Sequence, residues 1–114
     1  MKTKKETKYR IACICGSTKF KETMEQVRKT LTREGYIVLG PEIFGHAGDD
    51  LTSEEKEMLD DMHKQKILLS DVVVIVDRAN KEDRSYLGES TLSEIIFAQE
   101  HKKTVMNAYE YFLK

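Results

Sequence analysis

The run Val72-Val-Val-Ile-Val76 is the most apolar stretch of the chain, set between Asp71 and Asp77. With Asp71 it reads as a strand of the kind that a parallel sheet buries on both faces. A parallel strand cannot return to its neighbour by a tight turn, so helical crossovers are required on either side of it.

The rest of the chain supplies them. Tyr9 to Cys15 (Tyr-Arg-Ile-Ala-Cys-Ile-Cys) is another short apolar run, ending at Gly16-Ser17-Thr18-Lys19. Phe20, Met24, Val27 and Leu31 then recur at helical spacing, and Gly35 closes that helix. Tyr36 to Gly40 reads as the second strand, stopped by Pro41, and a Gly-rich loop carries the chain to Asp50. Thr52-x-x-Glu55 is a capping box that opens a helix through Leu69, with Met58, Leu59, Met62 and Leu69 expected inside. After the Val72 strand and about ten polar residues comes a helix to about Lys102, then a strand over Thr104 to Asn107. The tail from Ala108 to Lys114 is too short for another strand-helix unit and predicts a helical turn.

Strands alternating with helices predict an α/β domain spanning residues 1–114, with residues 1–8 as a flexible basic tail. The expected architecture is a flavodoxin- or Rossmann-like three-layer fold with a parallel sheet of four strands, or five, in the order 2-1-3-4. Charged residues make up 34% of the chain, yet the net charge is only -1, so no global basic field points to nucleic acid. No apolar run approaches the ~20 residues of a membrane span, and the N-terminus lacks a signal-like apolar region, which predicts a cytoplasmic protein without a membrane partner. Cys13 and Cys15, two apart on one strand, read as buried apolar filling. His46, His63 and His101 lack metal-ligand spacing, so neither metal nor cofactor is expected.

In such a fold the three strand-to-helix junctions meet at one sheet edge, where open α/β sheets bind ligands. Glu94, in Tyr86-Leu-Gly-Glu-Ser-Thr-Leu-Ser-Glu94, is the leading candidate for chemistry, expected in the first turn of its helix. The same letters, Thr91-x-x-Glu94, also read as a capping box in which Glu94 merely closes on the backbone. Gly16, Ser17, Thr18 and Lys19 could cradle an anion at a helix start, or form a plain capped turn. His63 is half turned towards the sheet, with Asp60 placed to orient it, and reads as a general acid or base or as a partly buried core histidine. Glu42 and His46 in the Gly-rich loop, and Asp77 at the third strand's end, are further candidate binding residues, with capping or loop roles as the alternative.

Together these segments resemble the nucleoside 2-deoxyribosyltransferase-like superfamily, which includes deoxynucleoside 5'-monophosphate N-glycosidases. The likeness rests on Cys15-Gly16-Ser17, Gly35-Tyr36-x-Val38, Ser70-Asp71-Val72-Val73-Val74 and, most specifically, Thr91-x-x-Glu94-x-x-x-Ala98. It implies Glu94 as the nucleophile that attacks the sugar's anomeric carbon, through a covalent glycosyl-enzyme. It also implies Gly16 to Lys19 as the 5'-phosphate cradle, with Ser90 as an added donor, and a homodimer or larger homo-oligomer. Where the family places an Asp on the helix before the third strand this sequence has His63, with Asp60 and Asp61 nearby, so His63 or Asp60 is the expected proton source for the base. The sequence departs from the family at Gly88, where the transferases carry an Asp. That departure keeps a non-catalytic nucleotide-binding or sensor module open, and because related folds bind larger nucleotides, a glycohydrolase of NAD- or ADP-ribose-type nucleotides is a third reading.

Overall fold

Each short apolar run can bury both faces only by pairing edge to edge with another and taking helices above and below. The computed structural model, which describes residues 7–42 and 50–113, is built that way. In chain order it contains β1 (Ile11–Gly16), a single 3-10 turn (Thr18–Phe20), α1 (Lys21–Arg33), β2 (Ile37–Leu39), α2 (Ser53–Leu69), β3 (Val72–Val76), α3 (Glu89–Glu100), β4 (Thr104–Asn107) and α4 (Ala108–Tyr111). The sheet is parallel throughout and ordered β2-β1-β3-β4, the order expected from right-handed crossovers. The fold is α/β and flavodoxin- or Rossmann-like, and the described residues form four strands rather than five. Among them, no helix is long and apolar enough to cross a membrane.

Strand alternation sorts the core into two layers. On one face of β1, Ala12 and Ile14 pack with Val72, Val74 and Val76 of β3 and with Phe20, Met24, Val27 and Leu31, the stripe of α1. On the other, Cys13 and Cys15 join Val73, Ile67 of α2 and Ala98 of α3. The first layer is a conventional aliphatic core. The second is thin, and it carries the chemically distinctive side chains.

Helix ends follow from local chemistry. Gly35 sits at φ +96, and Tyr36 N and Gly35 N return to Leu31 O and Thr32 O, the Schellman closure that a glycine makes inexpensive. The capping box at Thr52 and Glu55 forms as the sequence predicts, with reciprocal bonds of 2.9 and 3.0 Å. The tail turns into α4, whose Ala108 is buried, with Phe112 edge-on to Tyr36.

Two expectations fail. The inner face of α2 is not the one predicted: His63 and Ile67 are its buried residues, whereas Met58, Met62 and Leu69 are exposed. The reason is that α2 leans on the sheet through its C-terminal half, while Leu59 and Met62 border an open cleft. And α3 starts one turn earlier than predicted, at Glu89, with Gly88 as its N-cap. Thr91-x-x-Glu94 is therefore inside the helix and forms no capping box.

Candidate active site

Moving the start of α3 back to Glu89 changes what Glu94 can do. Backbone amides need side-chain caps only in a helix's first turn, and Glu94 lies in the second. Its carboxylate instead faces the carboxyl edge of the sheet, 13% exposed, with Oε1 3.5 Å from Nε2 of His63 on α2. Both side chains border a cleft of about 690 Å³ between the β1–α1 turn, α2 and the start of α3.

His63 is buried, and Nε2 gathers all its partners. It lies 3.3 Å from Sγ of Cys15 and 3.9 Å from Sγ of Cys13, besides Glu94. Nδ1 has no partner among the described residues. Asp60, expected to orient the ring, does not: it pairs with Lys56 at 3.6 Å across one helical turn, half exposed at the cleft wall. The orienting groups come from the strand and from α3, which a reading along α2 alone could not find.

These neighbours shift one another's protonation. Burial pushes the Glu94 carboxyl above its ordinary value, with the charges of Cys13 and Asp60 adding to it, while the His63 charge and the Cys15 thiol pull the other way. Burial works against a charged His63, but the Cys13 contact and the Glu94 charge outweigh it and raise the ring. The hydrogen bond from Cys15 brings the Cys13 thiol down to about 6 with the help of His63, against the effect of burial. The same contact, with burial, raises Cys15.

The β1–α1 turn contributes Gly16, Ser17 and Thr18 to the cleft. Gly16 is required by packing, because a Cβ there would come within 2.3 Å of the Val76 carbonyl oxygen. Ser17 caps the 3-10 turn, accepting from Lys19 N at 3.3 Å. The Lys19 ammonium lies 3.6 Å from the centre of the Tyr86 ring rather than over the turn, so the predicted cradle reaches the cleft without its lysine. Another cation borders the cleft: Lys66, one turn beyond His63, donates to Gly40 O at 2.7 Å and to Glu42 at 3.0 Å. Its spacing from His63 was the available signal, since positions three apart share a helix face. Glu42, Gly88 and Ser90 also border the cleft. His46 lies outside the described residues.

Asp77 is not part of this group. Its carboxylate accepts two bonds from Arg78 at 2.9 and 3.0 Å, one from Ser85 at 2.7 Å and one from Asn107 at 3.2 Å. Burial works against its charge, but these donors prevail and hold it below its ordinary value. Asp77 ties the segment after β3 to β4, and Tyr109 completes the knot by donating to Arg78 O. No protein-family model matches the chain, and no curated protein does either.

Proposed function

We propose that the chain is a retaining N-glycosidase of the 2-deoxyribosyltransferase type, acting on a nucleoside 5'-monophosphate. The observation that supports it best is a largely buried glutamate, free of capping duty, aimed into an open cleft beside a histidine. In this reading a Glu94 oxygen attacks the anomeric carbon as the bond to the base breaks. The bonding pair leaves with the base nitrogen, which takes up a proton. Water, or a second base, then attacks the same carbon and releases Glu94.

His63 serves as a positioning residue. In-line attack puts the departing base on the side of the anomeric carbon away from Glu94, so a nitrogen 3.5 Å from the attacking oxygen is badly placed to protonate it. His63 instead fixes the carboxylate and favours its charged form. Asp60, on the cleft wall, is assigned the proton for the base. Ser17, Thr18 and Ser90 supply hydroxyl donors for the phosphate, with Lys56 and Lys66 as cations bordering the same cleft.

The test is base release from a panel of nucleosides, 5'-monophosphates and NAD, with wild type and Glu94→Ala compared. Release confined to monophosphates and lost in the variant is the expected result. Release from no member of the panel, with or without an acceptor base, overturns the proposal, and tight binding without release would favour a nucleotide-binding module.

A further inference from the structure

The proposed reaction uses Glu94 and His63 but gives no role to the two thiols beneath them. Cys13 and Cys15 project from the same face of β1, as residues two apart on a strand must. Their sulfurs and the imidazole nitrogen of His63 all lie within 4.8 Å of one another. The cysteines are free and fully buried. Glu94 adds a carboxylate oxygen 3.5 Å from the same nitrogen. Three ligand-type groups, on a strand and a helix, thus converge, and Glu94 on α3 borders them through the imidazole.

The spacing can be compared with what a metal requires. A tetrahedral zinc ion, with Zn–S about 2.3 Å and Zn–N and Zn–O about 2.0–2.1 Å, sets its ligand atoms about 3.5 Å apart for S and N, and about 3.4 Å for N and O. The observed separations are 3.3 and 3.9 Å from His63 Nε2 to the two sulfurs, and 3.5 Å to the Glu94 oxygen. The distances to Nε2 need adjustments of a few tenths of an ångström, and the Glu94 side chain must swing towards the sulfurs to close the tetrahedron. All partners of the ring meet Nε2, so Nδ1 is left to carry the ring proton while the Nε2 lone pair serves as ligand. Two sulfurs with one imidazole and one carboxylate favour a thiophilic ion that accepts tetrahedral geometry.

We propose that Cys13, Cys15 and His63 form three corners of a tetrahedral site for a thiophilic divalent cation of the zinc type, with Glu94 moving in as the fourth ligand. The cation enters from the cleft, which His63 and Glu94 border. Each sulfur binds as thiolate, and any proton it carries passes to solvent as the metal–sulfur bond forms. With its oxygen on the metal, Glu94 is no longer available as a nucleophile. If the glycosidase reading holds, zinc is then an inhibitor that chelation reverses.

The metal site is tested without reference to activity. Reduced, metal-free protein is titrated with Co²⁺, then with Zn²⁺ in competition. The expected result is one equivalent of Co²⁺ with the intense visible bands of tetrahedral coordination and thiolate-to-metal charge transfer, both erased by Zn²⁺. Cys15→Ser should weaken the charge transfer and the Cys13→Ser, Cys15→Ser double variant should remove it, and Glu94→Gln should weaken binding by at least about tenfold, the lower end of what even an outer-shell change costs. X-ray absorption on the zinc-loaded wild-type protein needs no variant, and should find two sulfurs and two lighter ligands. Weak octahedral Co²⁺ spectra, or zinc with only nitrogen and oxygen neighbours, overturn the site. Metal binding without base release from any substrate would leave the site standing and remove the glycosidase; base release with no thiolate-bound metal would do the reverse.

Discussion

Asp77 and Glu94 are both largely buried carboxylates beyond the end of β3, with side chains 6% and 13% exposed, and their surroundings are opposite in kind. Asp77 receives four hydrogen bonds from three side chains and is held in its charged form. Glu94 has an imidazole at 3.5 Å and a thiol for company, and burial pushes it towards its neutral form. A carboxylate held by four donors, three of them on one oxygen, belongs to the scaffold. A carboxylate with few partners at the edge of a cleft costs the fold some stability and retains a lone pair for chemistry.

The sharpest way to break this contrast is to delete each group. Glu94→Ala is expected to reduce base release by about a thousandfold or more, as loss of a nucleophile does, with an unchanged circular dichroism spectrum. Asp77→Ala is expected to cost about 2–3 kcal/mol in urea unfolding, because it strands Arg78, which is itself 24% exposed, along with Ser85 and Asn107. Base release by the Asp77 variant's folded fraction should stay within a few-fold of wild type. If the two variants exchanged these phenotypes, the contrast would fail.

The pH dependence sharpens it further. The acid limb of kcat/KM should lie above the ordinary glutamate value of 4.5, because Glu94 must be ionised to attack. Stability should behave oppositely at the two positions. Asp77, depressed in the fold, stabilises above its ordinary 3.8, and that contribution is lost as pH falls through its lower folded value. Glu94, raised in the fold, costs the protein stability as pH rises from the ordinary 4.5 through its folded value, so Glu94→Gln should raise the melting temperature at alkaline pH. An equal or lower melting temperature for that variant would mean that Glu94 is as well satisfied as Asp77.

The smallest expected effect concerns the far end of α3, away from both carboxylates. Lys102 occupies the left-handed region at φ 59, and Lys103 N returns to Ala98 O at 2.9 Å, the closure that Gly35 provides for α1. Lys102→Gly should therefore stabilise the protein by about 1 kcal/mol and leave base release unaltered.

The two sheet faces differ in how much of them the sequence reveals. The α1 face was legible because Phe20, Met24, Val27 and Leu31 form a clean stripe, and apolar periodicity reports apolar burial directly. On α2 the strongest apolar pattern, Met58, Leu59 and Met62, runs beside the cleft, and the buried side is marked by a histidine and one isoleucine. A site breaks the pattern by which cores are read. Glu94 stands out in the sequence, but the start of its helix does not, because Thr91-x-x-Glu94 imitates a cap while the real cap, Gly88, contributes no side-chain bond. That Cys13 and Cys15 lie against His63 could not be read from spacing along the chain, since 50 and 48 residues, respectively, separate them from it.

The central claim is that Glu94 bonds covalently to the sugar. The most direct measurement is mass spectrometry of wild-type protein mixed with its best 5'-monophosphate substrate and quenched in acid. A mass gain equal to the sugar phosphate, mapped by fragmentation to Glu94 and missing from Glu94→Ala, is the predicted result. Base release with no adduct, or with the adduct on another residue, would contradict it.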